Sequence, residues 1–352
     1  MKKVLGIETS CDETAVAIVT EDKQILSNLV LSQQEHIEFG GVVPEIAARA
    51  HLDHLDLMIK KSLDDNSMSL NDIDAIAVTA GPGLIGGVLV GVMTAKALAV
   101  VRKKPLIAVN HLEGHALTAR LTNDVPFPYL LLLVSGGHCQ ILIVEGVGKY
   151  KQLGTTLDDA IGECFDKTSK LLGLGYPGGP EVEKMALECD DPKNAMSRFP
   201  FPTPLVGKDN CNFSFSGMKT AVKRAIDKLP NNIERQDAAD ICNSFQQSVS
   251  KVISDRLNRA IKKYLELYPE QKTPSIVIAG GVASNKVLRN TLENIAEEHN
   301  LNFAAPPLKL CTDNGVMIAW AGMEKFLLGK TDSLDFPVFP RWPLDEDWKK
   351  NG

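Results

Sequence analysis

Several things are missing from this chain of 352 residues, and each absence closes a door. No two cysteines stand in a CxxC pair. The seven present (Cys11, Cys139, Cys164, Cys189, Cys211, Cys242 and Cys311) are scattered and odd in number. That pattern excludes a disulfide framework and a zinc knuckle, and it reads as reduced thiols in a cytoplasmic protein. No run reaches the ~18 apolar residues expected of a membrane helix. Glu8, Asp12 and Glu13 interrupt the N-terminal apolar run too early for a signal peptide, so no membrane partner is expected. Net positive charge is lacking too: the balance is −6. A free-standing nucleic-acid binder is usually basic, because neutralising phosphates supplies much of its affinity. Any nucleic acid handled here must therefore meet local patches, such as Arg102-Lys103-Lys104 or residues 256–263, or be shared with partner subunits. Either patch reads first as a solvated face.

What is present is an ordinary globular balance, 44% hydrophobic and 23% charged, over a length that suits two domains. Strand-like runs alternate with helical patterns, which makes the class α/β. Two stretches share a plan. Residues 3–20 read as strand, polar turn (Glu8-Thr9-Ser10-Cys11-Asp12-Glu13) and strand. Residues 129–145 repeat it around Ser135-Gly136-Gly137-His138. A third apolar run, 275–279, ends in Gly280-Gly281 and opens a helix at Ser284-Asn285, whose small polar side chains suit an N-cap. Ala80-Gly81-Pro82-Gly83-Leu84-Ile85-Gly86-Gly87 resembles a phosphate cradle, but reads better as a turn that lets the next helix pack tightly. Residues 199–204 read as an extended loop, and the tail beyond Gly329 as a strap over the surface.

Only seven histidines occur, and two of them, His111 and His115, stand four residues apart after an apolar strand. On a helix they share one face, which is what a metal asks of two imidazoles. The alternative is a pair of helix-surface histidines. The spacing argues against a metalloprotease. There the base directly follows the first His, and Leu112 holds that position. Glu113 falls on about the opposite face at roughly 100° per residue.

Hairpin turns in each half and a late Gly-Gly turn resemble the actin, Hsp70 and sugar-kinase superfamily (ASKHA), with duplicated mixed-sheet lobes. The resemblance becomes specific in eight segments. They are Gly6-Ile7-Glu8-Thr9-Ser10-Cys11-Asp12-Glu13-Thr14, Asn110-His111-Leu112-Glu113-Gly114-His115, Val134-Ser135-Gly136-Gly137-His138 and Phe165-Asp166-Lys167. The others are Tyr176-Pro177-Gly178-Gly179-Pro180, Ser214-Phe215-Ser216-Gly217-Met218-Lys219-Thr220, Gly280-Gly281-Val282-Ala283-Ser284-Asn285 and Cys311-Thr312-Asp313-Asn314-Gly315. In this order they are similar to the tRNA threonylcarbamoyladenosine transferases (TsaD and its Kae relatives, formerly called O-sialoglycoprotein endopeptidase).

That resemblance implies transfer of a threonylcarbamoyl group from threonylcarbamoyl-AMP to N6 of the adenosine beside the anticodon, position 37, in tRNAs reading codons that begin with A. It implies one divalent metal, Fe2+ before Zn2+, on His111, His115 and Asp313, although Asp313 alone would pass for an N-cap of the following helix. It implies substrate contacts at Val134, Ser135, Gly136, Gly137, His138, Asp166, Gly179 and Asn285. Asp12 and Glu13 become candidates to orient the acceptor amine or take its proton. Cys11 beside them has no visible base, so a nucleophilic role is rejected. Expected partners are the tRNA, a smaller actin-like paralogue (TsaB) and an ATPase subunit (TsaE). Expected lobes are 1–110 with about 320–345, and 111–319. The competing readings are a metallopeptidase and an actin-like kinase or ATPase.

Overall fold

The computed structural model describes residues 1–33, 36, 41–230 and 233–345. The chain forms two compact units, one of residues 1–125, 146–150 and 306–352, the other of 126–145 and 151–305.

The first unit is built on a five-stranded sheet. β1 (Lys3–Glu8) and β2 (Glu13–Thr20) form the expected hairpin, and β3 (Ile25–Ser32) extends it antiparallel. β4 (Ala75–Gly81) lies parallel to β1, and β5 (Leu106–Asn110) parallel to β4, giving the order β3-β2-β1-β4-β5. Strands covered on both faces read as continuous apolar runs, as 4–7 and 75–78 do. α1 (Pro44–Asp64) and α2 (Ile85–Arg102) pack where Leu5, Ile7, Val16, Ile76 and Val78 form the core. The alternate residues face α10 (Gly315–Leu327): a Cβ on Gly6 would stand 2.4 Å from Ala319 N, so only glycine lets helix and strand approach this closely. The tail returns as a strap, with Phe336, Val338, Phe339 and Trp342 packed on the same core and Phe339 N–H donating to Ala80 O at 2.7 Å.

Helix α2 corrects one expectation, because its 18 residues are long and apolar enough, by length and composition, to cross a membrane. Two of its glycines show what it does instead. A Cβ at Gly87 would meet Thr9 O at 2.4 Å and one at Gly91 would meet Thr9 Oγ1 at 2.3 Å, which is the tight packing read from residues 80–87. Its other side leaves Ile85, Leu89 and Met93 exposed.

The second unit repeats the plan. β6 (Tyr129–Val134) and β7 (Cys139–Gly146) form the hairpin, β8 (Lys149–Thr155) extends it, and β9 (Ser275–Ala279) and β10 (Asn302–Ala304) follow in parallel. Read from the hairpin edge, the order β8-β7-β6-β9-β10 matches that of the first sheet. Around it lie α4 (Ile161–Leu172), α5 (Gly178–Ala186), α6 (Pro192–Arg198), α7 (Ser216–Ile226), the 33-residue α8 (Arg235–Leu267) and α9 (Lys286–Glu298).

The unit boundaries differ from those expected at 110 and 320. α3 (His111–Thr122) runs straight on from β5 and packs on α10, where a Cβ at Gly114 would touch Ile318 Cδ1 at 3.0 Å. α3 and the segment before α10 therefore belong to the first unit, and with them both histidines and Asp313. The expected basic stretch 256–263 is also not a uniform solvated face. Arg256 is wholly buried, donating to Asn210 O at 2.8 Å and pairing with Asp255.

Candidate functional site

β5 ends at Asn110, whose side chain accepts the Leu112 N–H at 2.9 Å and so starts α3 at His111. One turn later His115 stands on the same face, the two rings edge to face with centroids 4.9 Å apart. Opposite them, Asp313 Oδ1 lies 2.9 Å from His115 Nε2 and 3.5 Å from His111 Nε2. Asp313 is not a helix cap. Asn314 takes that task, accepting the Met317 N–H at 3.0 Å. The ligand atoms of His111, His115 and Asp313 lie within 4.8 Å of one another. The side chain of His115 is 1% exposed and that of Asp313 is 21%, so the cluster opens to solvent at the carboxylate.

Behind the histidines stands Glu8, wholly buried at the end of β1. Its Oε2 lies 3.0 Å from His111 Nδ1 and accepts Thr79 Oγ1 at 2.6 Å, while Oε1 accepts the Ser10 N–H at 2.5 Å. Ser10 Oγ also reaches His111 Nδ1, at 3.1 Å. Burial alone would raise the Glu8 carboxyl, yet the charge and hydrogen bond of His111 hold it below its ordinary value. For His111 the same balance runs in reverse. Burial opposes its charge, but Asp313 and Glu8 outweigh burial and lift the imidazole to about 9. A proton fixed on Nδ1 by a carboxylate leaves Nε2 turned to the front, as a metal-ligating histidine requires. Two imidazole nitrogens, one carboxylate and a carboxylate behind fit a divalent cation. Glu8 and Ser10 lie in a segment of the resemblance that assigns neither a role. The available signal was an acid closing an otherwise apolar strand.

The β1–β2 turn carries Asp12, and Glu13 opens β2. The turn's conformation is held from α1, where wholly buried His51 contacts Thr14 Oγ1 at 2.7 Å and Cys11 O at 3.0 Å. Burial first, then the charges of Asp313 and Asp12, push the Glu13 carboxyl up to about 9. Burial likewise drives the Cys11 thiol far above its ordinary range, with Asp12 and Asp313 adding to it, so no thiolate forms there. Glu113 is spent elsewhere. It is buried, pairs with Lys325 Nζ at 2.7 Å, and accepts Gly148 N at 2.8 Å and Tyr150 OH at 3.0 Å. A protease base is therefore absent from this helix.

In the second unit, Val134 closes β6 and Ser135, Gly136, Gly137 and His138 form the turn, with Ser135 N–H donating to His138 O at 2.8 Å. No atom lies within 4 Å of a Cβ built at Gly136 or Gly137, and both glycines are exposed. Its base is crowded: a Cβ on Gly280 would meet Val134 O at 2.3 Å, and one on Gly162 would meet Ser135 O at 2.7 Å. One turn along α4, Asp166 Oδ1 accepts the Gly178 N–H at 2.7 Å and steadies the start of α5, beside the open Gly179. Asn285 is buried, accepting Leu288 N at 3.0 Å and donating to Gln246 Oε1 at 2.9 Å. Its N-cap reading holds, and its side chain is committed to the fold. Glu183 is committed too, accepting Lys286 N at 2.7 Å.

A family model described as "TsaD: tRNA N6-adenosine threonylcarbamoyltransferase" matches residues 24–320. A protein of Brucella suis named tRNA N6-adenosine threonylcarbamoyltransferase is 58% identical over 349 residues, covering 98% of this chain and 96% of that protein. Among solved structures, HypF of T. kodakarensis is 14% identical with a TM-score of 0.58, over 93% of this chain and 48% of HypF. The activator of the 2-hydroxyisocaproyl-CoA dehydratase from Clostridium difficile, with bound ADPNP, is 12% identical with a TM-score of 0.50, over 94% of this chain and 98% of the activator. At those identities the likeness is one of fold: two lobes of the actin, Hsp70 and sugar-kinase type.

Proposed function

The chain belongs to the TsaD family, the tRNA N6-adenosine threonylcarbamoyltransferases, and on that premise we propose how its own residues serve the reaction. It is an enzyme that modifies tRNA by threonylcarbamoyl transfer to adenosine N6. The observation that carries the assignment of roles is Asp313 facing the His111/His115 pair, with Glu8 behind, in a chain of this family.

The donor in this reading is threonylcarbamoyl-AMP, a mixed anhydride already activated, so the residues have more to orient than to activate. The acceptor is N6 of adenosine 37 in tRNAs reading codons that begin with A. N6 attacks the carbamoyl carbon and forms the new C–N bond. The C–O bond to the phosphate of AMP breaks, AMP leaves, and N6 gives up a proton. His111, His115 and Asp313 would hold a divalent metal, Fe2+ before Zn2+. When bound, such an ion supplies Lewis acidity toward the carbamoyl oxygen.

Glu8 fixes the tautomer and orientation of His111. Asp12 and Glu13 orient the acceptor amine or take its proton, with burial pushing the Glu13 carboxyl up. The exposed turn of Gly136 and Gly137, between Ser135 and His138, offers backbone N–H donors to the adenylate phosphate without a Cβ in the way. Val134 and Gly179 shape the adenosine end. Asp166 and Asn285 hold the elements around it, since both side chains bond backbone N–H groups at helix starts.

Work with an actin-like paralogue (TsaB) and an ATPase subunit (TsaE) in a cytoplasmic setting completes the reading. The exposed apolar residues Ile85, Leu89 and Met93, one turn apart on α2, support a protein partner there. The test is transfer of radiolabelled threonine to an unmodified tRNA with the carbamoyl-adenylate supplied, with and without the partner proteins. Labelled tRNA is expected; no label under any condition overturns the reading.

A further inference from the structure

One helix of the second unit carries a run of exposed cations. α7 and the turn after it carry Lys219, Lys223, Arg224 and Lys228, all exposed. Among the described residues none of the four has an ion-pair partner. Some other basic residues of this unit are already paired. Arg198 pairs with Asp237 and Asp240, Arg235 with Glu188, and Arg259 with Asp255. The acids that border α7 do not cancel its charge. Asp158, bonded by Ser214 and Ser216 at the helix start, and Asp227 at its end are two anions against four cations.

At roughly 100° per residue, Lys219, Lys223 and Arg224 fall within about 140° of the helix circumference. Met218 and Val222 anchor the opposite side in the core. Beside the cations lies a cavity of about 550 Å³, lined by Phe199, Phe201, Ala221, Arg224, Lys228 and Leu229.

A chain with a net charge of −6 places four unpaired cations together only against the cost of their mutual repulsion. A small anion would engage one or two of them. Neighbours a helical turn apart, with Cβ atoms about 5–6 Å from one another, suit successive phosphates of a polyanion. Phe201 in the cavity wall is half-buried and suits an unstacked base, which a single-stranded RNA loop presents and an acidic peptide does not. We propose that α7, with Lys219, Lys223, Arg224 and Lys228, is a docking surface for the phosphate backbone of the substrate tRNA. This rests on the reading of the chain as a tRNA-modifying enzyme.

The test uses the full chain with the partner proteins that support transfer. Lys219→Gln, Lys223→Gln, Arg224→Gln and Lys228→Gln are combined in one variant, and Lys219→Arg, Lys223→Arg and Lys228→Arg in a second that keeps the charge. Affinity for unmodified tRNA is measured between about 50 and 200 mM salt, with KM for tRNA and for the carbamoyl-adenylate. The neutralised variant should bind tRNA about tenfold or more weakly, with a salt slope smaller by about 2–4. Its KM for tRNA should rise while that for the adenylate stays put, and the arginine variant should behave as wild type. The proposal is overturned if the neutralised variant keeps wild-type tRNA affinity and slope, including the case where only its binding to a partner protein weakens. Failure of the wild type itself to label tRNA would instead sink the underlying reading.

Discussion

The Asp313 carboxylate meets His115 Nε2 at 2.9 Å because its neighbour Asn314, and not Asp313, caps α10. Two adjacent polar residues before a helix divide two tasks, and the division makes Asp313 available as a third ligand. Asp313→Ala should therefore lower metal stoichiometry and transfer rate by more than about tenfold, with a melting temperature close to wild type. Asn314→Ala should do the opposite, costing about 1 kcal/mol of stability. Elemental analysis and thermal unfolding of the two variants separate the roles.

Glu8 acts on the same cluster from behind. Glu8→Gln keeps the size and removes the charge that fixes His111. Metal affinity should fall about 10–100-fold, measured by competition with a chelator. A variant that binds metal as tightly as wild type would show that Ser10 suffices to orient the imidazole.

Glu113 should be a residue of the fold. Breaking its buried pair with Lys325 by Glu113→Ala should cost about 3–5 kcal/mol in denaturant unfolding. Enzyme that remains folded should still transfer threonylcarbamoyl to tRNA. Loss of activity without loss of stability would reopen a chemical role for this acid.

Cys11→Ser should leave the transfer rate within about twofold of wild type, and a thiol reagent should label Cys11 slowly at neutral pH, because its thiolate is suppressed. Single-turnover rates and mass spectrometry after alkylation check both halves.

Asp158 offers a pH signature. Partial burial raises its carboxyl, but the hydroxyls of Ser214 and Ser216 and the N–H groups of Phe215 and Ser216 outweigh burial and hold it below 3.8. A carboxyl lowered in the fold contributes stability above its unfolded value, and that stability is lost as pH falls through the lower folded value. Wild type should melt higher than Asp158→Asn at pH 7, and the gap should close as pH drops below about 4. Melting curves of both proteins across that range decide it.

Local pattern reached far in this chain. The hairpins at 3–20 and 129–145 were legible because apolar strands flank short polar turns, and the His111/His115 pair because four residues bring two side chains to one helix face. Asn285 announced itself as a cap by position. Other features were not legible from residues alone. The separation of 198 positions between His115 and Asp313 leaves no periodic trace, and only resemblance to a family joined them. The boundary expected at 110 fell instead after α3, since packing of that helix on α10 is a contact between distant segments. The basic run at 256–263 misled because linear charge carries no information on burial, and Arg256 lies inside.

Sequence alone determined the α/β class, the repeated hairpin plan, the paired histidines and the family. Those depend on short-range periodicity and on ordered segments that survive in one dimension. Tertiary structure alone decided that Glu8 stands behind His111, that Glu113 is consumed by Lys325, and that Arg256 lies inside while Lys219, Lys223, Arg224 and Lys228 stay in water. Each of these follows from which distant side chains share a buried space and which remain in water.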